Sequence, residues 1–414
     1  MLDFSDAPYH FFEPNPSRGI ITLARQVNRM IALPGSNHRV RKIEITGACD
    51  EAKAAVDRGD RLLFVINHPS HSDPQVITEV HRRLGINSCF MAAYDVFLRA
   101  RFTAWTMQRL GNFSIDREGS DRKAMSTAIK ILSEGPQMLN IFPEGNVYLT
   151  NDRVTPFLDG TAFIALKAQK SLGEKPVKIV PISLKFTQLE DIFGLLNQRL
   201  RDLSVESEFP DQPDPFTLAD LVALGEHLIA RRLKRTGGDR FEGIDPSSPS
   251  ISLAPFAETL VQELESEFSL QAKADDKLID RIRRVRSTVH QRRIAEEGTE
   301  DPALADAADR AILAFRLHGY TQPYLTEKPT LDRAAETVER ISEDYQSKAL
   351  APLGPRQAHI HLHEPIDVRD SLEAASGKLR DAVAPLTLAM ESTVQSGVDE
   401  INCHLDTPGA QLIV

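Results

Sequence analysis

The chain has 414 residues, 41% of them hydrophobic and 26% charged, with a formal net charge of −10. That composition suits a folded protein with a substantial core and excludes a disordered or fibrous chain. The acidic balance speaks against nucleic acid as a partner, and three scattered cysteines, Cys49, Cys89 and Cys403, speak against a disulfide framework and fit a reducing compartment.

The charge is uneven. Residues 1–187 hold 24 Lys and Arg against 19 Asp and Glu, whereas the remainder holds 25 against 40. The basic front half suits anionic lipid or phosphate. The opening residues carry acids and prolines where a signal peptide needs a basic start and an apolar run. No stretch approaches the ~18 consecutive apolar residues of a membrane span. The chain is therefore expected in the cytoplasm, free or peripheral on the cytoplasmic membrane face.

In chain order, Ile20, Leu23, Val27, Met30 and Ile31 come first, at helical spacing among Arg18, Arg25 and Arg29. Such a helix either lies in a membrane interface or packs on a sheet, and packing is the preferred reading. From 40 to 187, short apolar or β-branched runs alternate with amphipathic stretches. Strands are predicted at 61–67 (RLLFVIN), 87–92 (NSCFMA), 137–142 (QMLNIF) and 178–186 (KIVPISLKF), with helices near 74–84, 95–109, 120–134 and 160–172. This alternation predicts an α/β fold, a mostly parallel sheet flanked by helices, with sites at the strand ends and the loops after them.

Beyond 188 the strand signals fade. Helices are predicted at 217–235, 252–267, 272–296, 302–317 and 330–348, separated by turn clusters at 210–215 and 245–249. No internal repeat of fixed period occurs. Residues 359–368 (HIHLHEPIDV) then read as a strand, followed by a helix near 385–401. The expected organisation is an α/β core with an N-terminal helix over 1–187, a large acidic α-helical insertion over 188–356, and a return strand and helix over 357–414 that complete the core.

Four clusters carry candidate chemistry. Asn67-His68-Pro69-Ser70-His71-Ser72-Asp73 follows the apolar run LLFVI. Pro74 suits the first turn of a helix, so Asp73 could fold back against the His68 ring. A carboxylate that accepts one ring N–H fixes the tautomer and lets the other nitrogen take a proton from a hydroxyl. The alternative is a helix-capping Asp73 beside a satisfied core histidine. In Gly111-Asn-Phe-Ser-Ile-Asp116-Arg117, Arg117 offers a planar fork for phosphate, or a surface ion pair. In Phe142-Pro143-Glu144-Gly145-Asn146, a sharp turn lets the backbone approach a ligand, and Glu144 could hold an acceptor hydroxyl or position a basic residue. In Ile179-Val180-Pro181-Ile182, the proline points to a sheet edge or a bulge.

In this order and at these separations, NHPSHSD, GNFSIDR, FPEGN and VPI resemble the blocks NHxxxxD, GxxxIDR, FPEG and VP-apolar of the glycerolipid acyltransferase family, which includes glycerol-3-phosphate and lysophosphatidate acyltransferases. The resemblance covers about residues 40–187 and the strand ending in His363-Glu-Pro-Ile366. It implies an acyltransferase-like α/β core with His68 as catalytic base and Asp73 as its orienting partner. It further implies Arg117 as a phosphate contact, Asn67, Glu144 and Gly145 as substrate-binding residues, and Pro181 in the block on the acyl-donor side. The implied partners are acyl-CoA or acyl carrier protein as donor and a phosphorylated glycerol-type acceptor, with peripheral membrane contact and neither metal nor organic cofactor. The insertion at 188–356 and the lack of an apolar N-terminal anchor depart from common members. A lipid-binding or scaffolding protein with the same fold but no turnover is the alternative.

Other readings compete for the same residues. His68, His71 and Asp73 do not fit the hydrolase pattern His-x-His-x-Asp-His, because Pro74 stands where its last histidine belongs. His359, His361 and His363 would share one face of a strand, where three imidazoles could ligate zinc; the plainer expectation has Ile360 and Leu362 facing the core and the histidines facing away from it.

Overall fold

The alternation of apolar runs and amphipathic stretches becomes a sheet with helices on both faces. The computed structural model describes residues 9–117, 121–211, 213–237, 254–272, 276–295, 301–319, 324–405 and 407–413. They divide into an α/β unit, Tyr9–Glu190 with Gly354–Ala410, and a helical unit, Asp191–Leu353 with 411–413. The turn cluster expected at 245–249 lies outside the described residues.

The α/β unit opens with α1 (Arg18–Val27), continued by a π-helical run at Asn28–Ala32. There follow β1 (Val40–Gly47), α2 (Cys49–Asp57), β2 (Arg61–Ile66), α3 (Asp73–Leu84), β3 (Ser88–Ala93), α4 (Tyr94–Leu98), α5 (Arg101–Arg109), β4 (Phe113–Ile115), α6 (Arg122–Glu134), β5 (Met138–Ile141), α7 (Gly160–Leu172) and β6 (Val177–Gln188). The helical unit holds α8 (Phe193–Glu206), α9 (Leu218–Gly237), α10 (Ala254–Glu267), α11 (Leu278–Ala295), α12 (Pro302–Gly319), α13 (Tyr324–Glu327) and α14 (Leu331–Gln346). The chain then returns with β7 (Arg356–Leu362), β8 (Ile366–Asp367), α15 (Val368–Ala374) and α16 (Leu379–Cys403).

The eight strands found among the described residues form a mixed, mostly parallel sheet in the order β1-β7-β6-β2-β5-β3-β4, with β8 beside β6. Strands β2, β3, β4, β5 and β6 run parallel, β7 and β8 run antiparallel to β6, and β1 is parallel to β7. Strand β2 is buried along its whole length, as a near-continuous apolar run in a sheet covered on both faces should be. Its side chains alternate between two layers. Leu63 and Val65 join Ala128 and Leu132 of α6, Ile164 of α7 and Met390 of α16, while Leu62, Phe64 and Ile66 join Ala52 of α2 and Val76, Ile77 and Val80 of α3.

In the helical unit, Leu196, Leu200 and Leu203 of α8 pack with Leu221, Leu224 and Leu228 of α9 and with Val338 and Ile341 of α14. The last residues close on this unit rather than on the sheet: Ile413 N–H donates to Pro329 O at 2.8 Å, and Leu331 N–H to Gln411 O at 2.8 Å. Among the described residues, no helix is long and apolar enough to cross a membrane.

Several expectations are corrected. The single strand expected over 359–368 is two, β7 and β8, and β7 begins earlier, at Arg356. The helix expected over 95–109 breaks into α4 and α5. The helix expected from 385 begins at Leu379 and carries Pro385 inside it. Pro181 lies neither at an edge nor in a bulge: it is buried in an interior strand, opposite Val65 of β2. Its carbonyl accepts His363 N–H at 3.0 Å, so the side of β6 on which proline lacks a donor faces the break between β7 and β8, where no ladder bond is lost.

The first helix does not bury its apolar stripe on the sheet. It is pinned through a different edge, by buried Ile21, by Arg25 Nη2 donating to Ile86 O at 2.8 Å, and by Asn28 Nδ2 donating to Gln75 O at 2.9 Å. Leu23, Val27, Met30 and Ile31 are left exposed.

Candidate active site

The site forms where β2 ends and β6 runs on. Past Ile66 the ladder has no strand to continue it, and two asparagine side chains take over. Asn67 Nδ2 donates to Leu184 O at 2.8 Å and its Oδ1 accepts Leu184 N–H at 2.8 Å. Asn151 does the same for Phe186, with Oδ1 accepting Phe186 N–H at 2.9 Å and Nδ2 bonded to Phe186 O. Asn67 therefore fastens the start of the loop to β6. Its buried amide is engaged with main chain at both ends.

From Asn67 the loop turns over the N-terminus of α3. Asp73 N–H donates to Ser70 O at 3.2 Å, and Asp73 Oδ2 accepts Ser70 N–H at 3.0 Å. The same oxygen lies 2.6 Å from His68 Nδ1. With Nδ1–H donated to the carboxylate, Nε2 keeps its lone pair. Asp73 is fully buried, while the His68 side chain is 15% exposed, so the ring reaches the surface and its partner does not.

Phe142, at the end of β5, stacks on the His68 ring with centroids 4.1 Å apart and planes 15° apart. The following turn needs Gly145, whose φ is +75° and whose added Cβ would sit 2.8 Å from Leu158 Cδ1. Glu144 is buried, with Oε1 accepting His68 N–H at 2.6 Å and Oε2 accepting Thr155 N–H at 3.0 Å. Glu144 thus braces the main chain of His68 from behind.

Arg117 follows β4 and is held at the surface by Nη2 donating to Asp95 Oδ1 at 2.9 Å and Nη1 donating to Asn146 Oδ1 at 3.2 Å. Its charge acts on the His68 ring. Pro181, in the sheet beneath, makes no polar contact to this group of residues.

Burial, with the charges of His71 and Arg117, pushes the His68 ring down to about 3, so the imidazole is neutral around pH 7. Burial raises Asp73, opposed by the Ser70 N–H and by the charges of Arg356 and His71. Burial also raises Glu144, to about 7, against the N–H groups of His68 and Thr155.

The sequence reading missed Arg356. This buried guanidinium, at the start of β7, reaches under the loop: Nη1 donates to Ser70 Oγ at 3.2 Å, and Nη2 to Ser72 Oγ at 2.8 Å and to His38 O at 3.0 Å. Its charge stands 4.5 Å from the centroid of the Phe186 ring. Nothing local marks Arg356, because its partners lie 284 to 318 residues away in sequence.

The histidine stripe of β7 takes hydroxyl and carboxylate neighbours. His359 lies 2.9 Å from Thr187 Oγ1 and 3.3 Å from Glu44, His361 lies 3.0 Å from Thr46 Oγ1, and His363 lies 2.8 Å from Ser183 Oγ. Ile360 and Leu362 are buried in the core between them.

A neutral, largely buried imidazole with part of its ring exposed, backed by a buried carboxylate, is equipped to accept a proton from a hydroxyl and to stabilise the imidazolium that results. No curated protein matches the chain. The family model described as Acyltransferase matches residues 48–185, a stretch that holds His68, Asp73, Arg117, Glu144 and Pro181. The chain therefore carries, over that stretch of its α/β unit, a domain of the acyltransferase family.

Proposed function

We propose that the protein is an O-acyltransferase that moves a fatty acyl group from acyl-CoA or acyl carrier protein to a hydroxyl of glycerol-3-phosphate, lysophosphatidate or a related lysolipid, a step of phospholipid biosynthesis. The observation that carries the reading is the 2.6 Å contact between His68 Nδ1 and the buried Asp73 carboxylate, with the His68 side chain 15% exposed.

In this scheme His68 Nε2 takes the hydroxyl proton as the acceptor oxygen attacks the thioester carbonyl carbon. Asp73 stabilises the imidazolium as the tetrahedral adduct forms. The adduct collapses by breaking the C–S bond, and the imidazolium returns its proton to the departing thiolate. The products are one ester and one thiol, and the enzyme is unchanged. An alcohol facing a thioester needs no acyl-enzyme in between. Arg117, with its fork held by Asp95 and Asn146, would meet the acceptor phosphate.

The test is thiol release from each donor against a panel of acceptors. Release that requires a phosphorylated glycerol-type acceptor is expected; release without any acceptor would mean a hydrolase, and no release a binding protein. His68→Ala should lower transfer by roughly 10²–10⁴ with an unchanged circular dichroism spectrum. Full activity in that variant would sink the assignment. Arg117→Ala should raise KM for a phosphorylated acceptor and leave an unphosphorylated one nearly unaffected; equal losses on both would remove the phosphate role.

A further inference from the structure

We infer that β1 is an interface strand, through which two copies of this chain join their sheets by symmetric antiparallel pairing centred on Ile43. The two ends of the sheet are finished differently. At β4 the segment before α1 covers the edge, with Ser114 N–H donating to Phe12 O at 3.2 Å and Phe12 N–H donating to Ser114 Oγ at 2.9 Å. At the other end, among the described residues, β1 pairs with β7 alone, and Arg41, Lys42, Glu44, Thr46 and Gly47 are exposed.

The ladder fixes which main-chain groups are left over. Ala48 N–H donates to Leu362 O at 2.8 Å, and along a strand the groups that face one side recur at every second residue. Lys42, Glu44 and Thr46 therefore bond to β7, while the N–H and C=O groups of Arg41, Ile43 and Ile45 point outward. Arg83 Nη1 donates to Ile43 O at 3.1 Å and so takes one of these acceptors. Its side chain is 41% exposed and is also held by Glu79, so it can give way to the N–H of an incoming strand. An edge with its outward bonds open is a template for another strand.

Charge selects the partner and the register. An antiparallel pair that exchanges bonds through the outward groups puts Lys42 and Glu44 at non-hydrogen-bonded positions, where opposed side chains stand closest. Centred on Lys42 the pairing would oppose lysines, on Glu44 glutamates, and on Arg41 arginines. Centred on Ile45 it would set Lys42 and Glu44 against the neutral Ala48 and Thr46. Centred on Ile43 it sets each Lys42 opposite the other copy's Glu44, twice by symmetry, with isoleucine on isoleucine between them. Lys42 is free to do this at the surface, and Glu44, although it accepts Gln357 Nε2 at 2.8 Å, keeps a side chain 51% exposed. A strand that complements itself in this way fits a second copy of the chain.

Sedimentation equilibrium of the full-length protein should show monomer giving way to dimer over roughly 1–100 µM. Amide exchange at Arg41, Ile43 and Ile45 should slow as concentration rises, whereas Glu44, already bonded to β7, should not respond. Lys42→Glu and Glu44→Lys each oppose like charges and should weaken the dimer by roughly tenfold or more, with unchanged circular dichroism. Mixed one to one, the two variants oppose acid to base at both positions and should dimerise as the parent does, a rescue that misfolding could not give. A parent still monomeric at ~100 µM, single variants that dimerise as well as the parent, or a mixture that recovers nothing would overturn the proposal. None of these measurements reads acyl transfer, so failure here leaves that reading standing, and the reverse holds too.

Discussion

His68 is anchored by two carboxylates, Glu144 at its main chain and Asp73 at its ring, and the two titrate to different effect. Glu144 is raised to about 7 from an ordinary 4.5. A carboxyl whose folded value lies above its unfolded one adds stability that is complete below the unfolded value and disappears as pH rises through the folded one. The wild type should therefore lose about 3 kcal/mol relative to Glu144→Gln between pH 4.5 and a pH somewhat above 7. Denaturant midpoints measured across that range check this, and parallel curves for the two proteins would exclude it. Arg356 acts on the other carboxylate as a positioning residue, through the loop and through its charge. Removing that charge in Arg356→Met should raise Asp73 further and move the acid limb of kcat to higher pH, with a loss of roughly tenfold at neutral pH and little change in KM. Arg356→Lys should restore the limb while the rate stays low, because one ammonium cannot make the three contacts. Identical pH profiles for wild type and Arg356→Met would reduce the residue to scaffolding.

Among the elements, continuous apolar runs were the most legible. RLLFVI and KIVPISLKF read as strands on their length and β-branched content, although Pro181 in the second points to an edge or a bulge and so hides that β6 is interior. Strand β1 went unrecognised although Ile43 and Ile45 alternate with Lys42 and Glu44, because two half-buried apolar residues at a sheet edge carry the whole period. Strand β4 has three residues, too few to show a period. Helix α2 is built on Ala52 and Ala55, which weigh little on any apolar scale although both are fully buried. The first helix misled for a different reason: its stripe was read correctly, but its orientation is set by Arg25 and Asn28, polar residues that periodicity ignores. Within the site, the closeness of His68 and Asp73 was legible because one short turn before α3 spans it. The engagement of Asn67 with Leu184 and the reach of Arg356 to Ser70 are tertiary contacts that spacing along the chain does not encode.

At the scale of the molecule, the helical unit leaves and rejoins the sheet at one point. Gln188 pairs with Arg356 in the antiparallel ladder of β6 and β7, and Leu189 N–H donates to Pro355 O at 2.9 Å. The ends around Asp191–Leu353 are thus already at hairpin distance. Replacing 191–353 by a short glycine-containing turn, and ending the chain at Ala410 so that 411–413 are not left without Pro329 and Leu331, should yield an α/β unit that unfolds cooperatively on its own. Calorimetry decides it, and a broad or absent transition would show that the sheet depends on the helical unit.

Strand β7 also bears on timing. It lies between β1 and β6, and it carries the guanidinium that props the 70–72 turn. A chain still on the ribosome, with its first half made but residue 356 not yet emerged, has the motif residues in hand and neither the strand that closes the sheet between them nor the prop. Assembly of the centre is in this way deferred until residue 356 and the strand it opens have emerged, and a product terminated before them would hold the whole family signature without its prop.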